Sequence, residues 1–320
     1  MSIRYSVVIP VYNEESVVKE CYKRLTAVME QTGESYELIF VNDGSRDQTE
    51  KIVGGFCEQD ARVKLLSFSR NFGHQTAITA GMDHSMGQAV IVIDADLQDP
   101  PEVILEMIKK WKEGFDVVYG KRLSRQGESL FKKVTARMFY RLLRSLTNVD
   151  IPVDTGDFRL IDRKVCDVLS SLTEQNRYVR GLVSWAGFRQ TAVEFHRQER
   201  FAGETKYPFR KMVKFALDGI TTFSYKPLKM ATYLGFSLSF LSFVYLLVVI
   251  CQKLCTDQAV SGWAVALSAS LCFNGIVLIM LGIIGEYIGR IYDETKNRPL
   301  YVIREKKGFT DEKEKSDRNY

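Results

Sequence analysis

The sequence predicts an α/β fold, in which a mostly parallel sheet carries helices on both faces, followed by helices that cross a membrane. Two observations lead to this prediction. In the first part of the chain, nearly uninterrupted apolar runs alternate with amphipathic helical segments, which is typical of a parallel sheet covered on both faces. Further along, residues 230–251 and 263–285 contain no charged side chain, and each run of about 22 residues spans roughly 30 Å as a helix.

The order of the elements follows from the polar and glycine-rich stretches between the apolar runs. We predict strands over 5–11, 37–42, 63–67, 89–94 and 115–119, and helices over 14–31, 47–59, 73–85 and 101–112. The last helix begins with prolines, where a missing N–H costs nothing. Beyond Gly120 the pattern predicts a basic amphipathic segment over 129–146, a strand region over 154–162, a helix over 177–185 and a strand over 189–195.

The membrane part is predicted from charge as well as hydropathy. Residues 207–223 place apolar side chains at helical spacing opposite basic ones, so we expect a helix in the membrane interface rather than an ordinary core helix. Basic residues precede the first uncharged run and follow the second, whereas the loop between them offers only Lys253 and Asp257. The positive-inside rule therefore places both termini in the cytoplasm. A pair of buried core helices is the alternative, but runs of this length favour spans.

These patterns divide the chain into four predicted parts. They are a cytoplasmic domain over 1–206, a juxtamembrane amphipathic helix over 207–228, a transmembrane hairpin over 229–288 and a cytoplasmic tail over 289–320. The net charge of +5 is mild, and the basic residues beside the uncharged runs suit an anionic membrane surface better than a nucleic acid. The six cysteines lack zinc-type pairing, and we expect reduced thiols in the cytoplasmic part.

Polar residues follow three of the predicted strands. They are Pro10, Tyr12 and Glu14 after the first strand, Asp43 after the second, and Asp94, Asp96 and Gln98 after the fourth. Each cluster alone is also explained by a turn or a helix start. Because ligands of parallel sheets bind at the carboxyl ends of the strands, we expect the three clusters to converge on one crevice. There a carboxylate can accept a base N–H or a ribose hydroxyl, and Tyr12 can stack on the base.

The Asp94-Ala95-Asp96 element predicts a metal site. Two carboxylates one residue apart point toward the same mouth, and Gln98 adds a neutral oxygen. Hard oxygen ligands suit Mg²⁺ or Mn²⁺, which are held through one or two carboxylates and substrate phosphates. The alternative is two solvated aspartates at the start of the next helix, although capping needs only one of them.

The strand-end set PVYNE, NDGS and DADLQDPPE resembles family 2 glycosyltransferases of the GT-A fold. Three later segments, DTGDFR over 154–159, RFAGETKY over 200–207 and GEYIGRIY over 285–292, narrow the resemblance. Together with two spans they look like the polyprenyl-phosphate glycosyltransferases related to dolichol-phosphate mannose synthase, especially the bactoprenol glucosyltransferase branch. The resemblance covers roughly residues 4–303.

This resemblance implies a GT-A Rossmann-like domain and a hexosyltransferase with a nucleotide-sugar donor. The implied reaction is inverting transfer of a sugar onto polyprenyl (undecaprenyl) phosphate at the cytoplasmic membrane face, with Mg²⁺ or Mn²⁺. Glucose from UDP-glucose is the first choice because DTGDFR resembles the glucosyl branch. N-acetylglucosamine, mannose and an aminoarabinose derivative remain open. Expected partners are the lipid, the membrane and further copies of the chain, with a downstream flippase and a second glycosyltransferase, and no nucleic acid.

Roles are carried over position by position. The resemblance implies nucleoside contacts from Pro10, Tyr12, Glu14 and Asp43, metal and diphosphate contacts from Asp94, Asp96 and Gln98, a phosphate contact from Arg122, the reacting centre at Asp157, and lipid-phosphate contacts from Arg200 and Lys206. A non-catalytic nucleotide-sugar binding protein is expected to lose the acidic residues, which are present here. Two spans are few for a flippase, and no QxxRW-like motif of a processive synthase occurs.

Overall fold

The computed structural model describes residues 3–123, 155–175, 177–196 and 262–309, together with isolated helical positions between 233 and 248. These residues fall into two compact units. One contains the described residues up to 196 and those from 298 onward, and the other contains the described residues from 233 to 297. Several predictions lie outside the described residues: the segment over 129–146, the interface helix over 207–223, Arg200 and Lys206.

The first unit is a mixed α/β sheet with helices. Its strands are β1 Tyr5–Val11, β2 Tyr36–Asn42, β3 Val63–Phe68, β4 Ala89–Val92, β5 Val117–Arg122, β6 Thr155–Asp162, β7 Gln190–Phe195 and β8 Ile303–Lys307. Its helices are α1 Val18–Glu30, α2 Thr49–Gln59, α3 His74–Asp83, α4 Val103–Lys112, α5 Arg163–Ser171 and α6 Val179–Trp185. The strand order is β7-β5-β6-β4-β1-β2-β3-β8.

The centre of the sheet is parallel and buried, as its apolar runs predicted. Strands β3, β2, β1 and β4 pair in parallel, and β1, β2 and β3 are buried along their whole lengths. On one face Ile9 joins a core with Leu25 of α1 and Met107 of α4. On the other face Gly81 lets α3 approach closely, because a Cβ there would lie 2.2 Å from Cγ1 of Val8. Helices therefore cover both faces.

Two strands depart from the parallel pattern. Strand β6 lies antiparallel between β4 and β5, and β8 lies antiparallel beside β3. Neither direction can be read from an apolar run, because a buried run looks the same in both orientations. Helix α5 was not predicted from the sequence. Its N-terminal signal was Asp162, which caps the helix by accepting a hydrogen bond from the Lys164 backbone N–H at 3.1 Å.

Residues 298–309, which we call the C-terminal strap, belong to the α/β unit. The strap contains β8, which pairs with β3 from Leu65 to Phe68 and so covers what is otherwise an open sheet edge. The ring of Tyr301 stacks on Phe68 at 5.3 Å, and its hydroxyl donates to Asp83 at 3.1 Å. The predicted tail over 289–320 thus contains the end of a helix, up to Thr295, and a strand of the sheet, Ile303–Lys307.

The second unit contains α7, Trp263–Thr295, a helix of 33 residues. At 1.5 Å per residue it is about 50 Å long. Within the described residues it supplies the one helix, Phe273–Thr295, that is long and apolar enough to cross a membrane. Several of its described apolar side chains are exposed, among them Leu278 and Ile279, which are about two-thirds exposed. Most of the first predicted span lies outside the described residues, so two spans are not confirmed and the hairpin stays a prediction.

The strap generates a prediction about stability. Tyr301→Ala removes the stacked ring and the hydrogen bond to Asp83, so it should lower the free energy of unfolding by about 2 kcal/mol. Tyr301→Phe keeps the ring and should cost about 1 kcal/mol. Thermal unfolding in detergent measures both, with Val302→Ala, at a half-exposed strap position, as the control. Equal melting temperatures for Tyr301→Ala and Val302→Ala would contradict the assigned role of the ring.

Candidate active site

The polar residues that follow the parallel strands meet at one edge of the sheet. The antiparallel strand β6 contributes further residues to the same edge. Val92, the last residue of β4, pairs with Arg159 of β6. Because β6 runs antiparallel, its first residues lie beyond the end of β4, on the same side as Asp94. Asp157, near the start of β6, therefore lies at the edge of the sheet where the parallel strands end.

The loops after β1 and β2 are hydrogen-bonded to each other. The Asn13 backbone N–H donates to Ser45 Oγ at 3.0 Å, and Asn13 Oδ1 accepts from the Arg46 N–H at 2.8 Å. The Glu14 N–H donates to Thr49 Oγ1 at 2.9 Å. These bonds hold the loop that contains Tyr12, which is half-buried beside them. Pro10, inside β1, is buried and shapes the strand end. The predicted nucleoside residues of the first two strands therefore lie together.

Asp43 has a structural role that the sequence did not indicate. Its carboxylate accepts hydrogen bonds from the backbone N–H groups of Phe72, at 2.6 Å, and Gly73, at 3.0 Å. Burial raises the pKa of the Asp43 carboxyl, and these amide bonds oppose that rise. A carboxylate oxygen can accept two hydrogen bonds, so Oδ2 keeps capacity for a further donor. Asp43 organises the loop between β3 and α3 and still fits the predicted contact with a nucleoside.

An acidic cluster with a histidine at its centre lies where β4, β6 and α3 meet. His74 is the first residue of α3, and its Nε2 lies 3.4 Å from Asp94 Oδ1 and 3.3 Å from Asp157 Oδ2. Asp157 is about nine-tenths buried, and Asp94 is more open. The imidazole thus bridges a predicted metal ligand and the predicted reacting centre. No sequence motif marked His74, and the available signal was its position after a strand that ends at the same edge of the sheet.

The charges of this cluster follow from its surroundings. Burial alone would lower the pKa of His74, but Asp94 and then Asp157 raise it to about 9. Burial raises the pKa of Asp94 to about 6, and His74 opposes that rise. Burial also opposes ionisation of Asp157, but Arg180 and His74 outweigh it and hold its pKa well below the usual range. At neutral pH the site therefore holds a charged imidazolium between two carboxylates.

Asp157 is held by two further side chains that the sequence analysis missed. Gln75 Nε2 donates to Asp157 Oδ2 at 3.0 Å. Arg180 forms an ion pair with Asp157, with Nε 3.1 Å from Oδ1, and its Nη1 donates to the Thr155 carbonyl at 2.8 Å. Gln75 and Arg180 sit in the first turns of α3 and α6, which approach only in the folded chain. No local pattern in the sequence signals this convergence.

Arg122 lies at the other side of β6. Its Nη2 donates to Asp99 at 3.0 Å, and Asp99 is almost fully buried. A Cβ at Gly156 would lie 2.4 Å from the same Nη2, so glycine leaves the space that the guanidinium occupies. Arg122 therefore lies close to the loop of the predicted metal ligands, as a phosphate contact requires.

The residues of the Asp94 loop fit a divalent cation held jointly with substrate. Asp94 Oδ1 is buried and accepts no hydrogen bond, although His74 Nε2 lies 3.4 Å away, and Asp96 Oδ1 accepts the backbone N–H of Gln98 at 3.1 Å. Within the described part of the chain, no group of three or more His, Cys, Asp or Glu side chains is arranged to hold a metal. Two carboxylates, followed in the same loop by Gln98, match the way in which Mg²⁺ usually binds, through few protein ligands and substrate phosphates.

Comparisons with known proteins agree on one family. The model of glycosyl transferase family 2 matches residues 6–169, and that of the GtrB C-terminal hairpin matches residues 226–291. An uncharacterized glycosyltransferase of Bacillus subtilis, YkcC, is 61% identical over 96% of this chain and 95% of its own. A prophage bactoprenol glucosyl transferase homolog of Escherichia coli is 41% identical over 94% of this chain and 99% of its own. The bactoprenol glucosyl transferase of Shigella phage SfV is 42% identical, covering 95% and 99% respectively.

Proposed function

The chain belongs to glycosyl transferase family 2, and on that basis we propose that it transfers glucose from UDP-glucose to a polyprenyl phosphate such as undecaprenyl phosphate. Relatives that carry the name bactoprenol glucosyl transferase align with nearly the whole chain, including the C-terminal hairpin. The proposal that the chain is a catalyst rests on the position of Asp157, whose carboxylate faces Asp94 with His74 between them.

The alternatives from the sequence are less well supported. A non-catalytic binding protein or a flippase component has no need for a carboxylate held ionised beside a metal-binding loop. The same reaction with N-acetylglucosamine, mannose or an aminoarabinose derivative needs the same residues, and only the names of the relatives favour glucose.

The reaction exchanges one bond at the anomeric carbon for another. An oxygen of the lipid phosphate attacks that carbon from the side opposite the leaving group, and the bond to the nucleoside diphosphate breaks, so the configuration inverts. A phosphate monoester has a second pKa near 6, so the attacking oxygen is largely deprotonated at neutral pH. The reaction therefore needs little help from a general base.

Asp157 suits an electrostatic role better than a proton-accepting one. Arg180 and His74 hold its pKa below the usual range, so its carboxylate is a weak base at neutral pH. A fixed negative charge stabilises the positive charge that develops at the anomeric carbon in the transition state. We propose that Asp157 supplies this charge and orients the two substrates.

The leaving group needs positive charge. Asp94, Asp96 and Gln98 would hold Mg²⁺ or Mn²⁺, which supplies Lewis-acid stabilisation of the departing diphosphate when bound. Arg122, 3.0 Å from Asp99, lies near enough to this loop to contact the same phosphates. Tyr12, Glu14 and Asp43, which follow β1 and β2, would hold the nucleoside.

The acceptor arrives from the membrane. Helix α7 and the hairpin would anchor the enzyme, with both termini and the α/β unit in the cytoplasm, where nucleotide sugars are made available. Arg200 and Lys206, next to the predicted interface helix, would bind the lipid phosphate. Association with further copies of the chain, and delivery of the product to a flippase and a second glycosyltransferase, complete the proposal.

The central test is a reaction with defined substrates. Purified enzyme is incubated with undecaprenyl phosphate and each of several nucleotide sugars, and lipid products are read by mass spectrometry. We expect glucosyl-phosphoryl-undecaprenol from UDP-glucose, and its loss in excess chelator with recovery on adding Mg²⁺ or Mn²⁺. Asp96→Ala should not recover. Product from a different nucleotide sugar would change the assigned donor. Full activity in excess chelator would show that the reaction needs no divalent metal.

Catalysis and lipid capture can be separated by two variants. Asp157→Asn keeps the shape but removes the charge, so kcat should fall with little change in the apparent KM for the lipid. Lys206→Ala should instead raise that KM by about 10- to 150-fold, because a charge-assisted contact to phosphate contributes about 1.5–3 kcal/mol. Steady-state kinetics over lipid concentration distinguishes them. Full turnover by Asp157→Asn would exclude it from the catalytic residues.

The orientation can be tested in intact cells. With the native Cys251 and Cys255 replaced by serine, a cysteine introduced as Gln258→Cys lies in the predicted external loop and should react with a membrane-impermeant thiol reagent. A cysteine introduced as Ser316→Cys lies in the predicted cytoplasmic tail and should be protected until the cells are opened. The reverse pattern would separate the site from its cytoplasmic donor and contradict the proposed location.

A further inference from the structure

We propose that Gln75 is a positioning residue for sugar transfer, which fixes the Asp157 carboxylate and the start of α6 with one side-chain amide. The inference rests on the proposed function of Asp157 at the reacting centre. It concerns a residue that touches neither the predicted metal ligands nor the nucleoside residues in any contact described above.

The side-chain amide of Gln75 forms a hydrogen bond through its nitrogen and another through its oxygen. Its Nε2 donates to Asp157 Oδ2 at 3.0 Å, and its Oε1 accepts the backbone N–H of Val179 at 3.0 Å. Val179 is the first residue of α6, and the N–H groups of a first turn have no partner within their own helix. One side chain of α3 therefore ties β6 to the start of α6.

The same contact controls the second oxygen of Asp157. Arg180 follows Val179, and its Nε lies 3.1 Å from Asp157 Oδ1 while its Nη1 donates to the Thr155 carbonyl at 2.8 Å. Where Val179 is anchored, the guanidinium reaches both groups. Gln75 thus acts on one oxygen of Asp157 directly and on the other through the placement of α6.

A neutral amide is the side chain that this position requires. His74 and Arg180 already bring positive charge to Asp157, so a donor without charge adds orientation and leaves the charge balance unchanged. A carboxylate here would repel Asp157, and an apolar side chain would leave the Val179 N–H without its partner. Displacement of a catalytic group by 1 Å can cost about 100-fold in rate, so small changes at Gln75 should be visible in kcat.

The experiment compares three variants of the full-length enzyme in the glucosyl-transfer reaction. Gln75→Leu removes both hydrogen bonds. Gln75→Glu keeps an acceptor for the Val179 N–H but loses the donor to Asp157. Gln190→Leu is the matched control, because Gln190 Nε2 also donates to the backbone of α6, to the Val183 carbonyl at 3.2 Å, without contacting Asp157. Thermal unfolding of each variant verifies that it is folded.

We expect both Gln75 variants to lower kcat by about 10- to 100-fold at pH 8. The apparent KM for UDP-glucose should stay within about 2-fold, because Gln75 makes none of the described contacts with the predicted nucleoside residues. Gln190→Leu should leave kcat within about 3-fold, because Gln190 bonds to Val183 rather than to Asp157. If Gln75 only anchors α6, Gln75→Glu will retain nearly full activity, and that result would overturn the proposal. Equal losses in Gln190→Leu and Gln75→Leu would overturn it as well.

The pH profile gives a signature that an anchoring role cannot produce. The carboxyl introduced by Gln75→Glu lies beside Asp157, whose negative charge raises its pKa, and near His74 and Arg180, whose positive charges lower it. Once this carboxyl is protonated at lower pH it can donate to Asp157, so the activity of Gln75→Glu relative to wild type should recover as the pH falls, whereas that of Gln75→Leu should not. The ratio to wild type is taken at each pH so that ionisations common to the variant and the wild type cancel. A wild-type enzyme that makes no lipid-linked glucose would refute the proposed function instead.

Discussion

The pairing of β4 with the antiparallel strand β6 is the constraint on which the site depends. Four residue pairs, from Ala89↔Asp162 to Val92↔Arg159, fix the register. With that register, Asp157 lies just beyond the end of β4 and faces the Asp94 loop. A shift by one residue would turn Asp157 to the other face of the sheet, because side chains alternate along a strand. The catalytic proposal therefore rests on backbone hydrogen bonds before it rests on any side chain.

That register forces carboxylates together, and the surrounding residues make the arrangement tolerable. His74 lies within 3.4 Å of both Asp94 and Asp157, and Arg180 neutralises the latter from the other side. Partly buried charges are retained only when they are paired. The same pairing keeps Asp157 ionised, and a reaction whose nucleophile is already an anion requires a fixed charge more than it requires a base.

Helix α3 connects this cluster to the distant side of the α/β unit. It begins with His74 and Gln75 at the site and ends at Asp83, whose carboxylate accepts hydrogen bonds from Tyr301 of the C-terminal strap and from Ser170 of α5. The strap follows α7 directly in the chain. The strap, which follows the predicted membrane part, thus contributes to the packing of α3, the helix whose first residues contact the proposed reacting centre.

The sequence by itself determined the parallel half of the sheet and the residues at its strand ends, because buried parallel strands are continuous apolar runs and their polar ends must share an edge. Its motifs also predicted the family, and the comparisons confirm that family. Only the tertiary structure decided the direction of β6, the place of β8 in the sheet, and the roles of His74, Gln75 and Arg180. Those three residues come from the starts of two helices about 100 positions apart in the chain, and no local pattern records a contact that exists only after β6 has paired with β4.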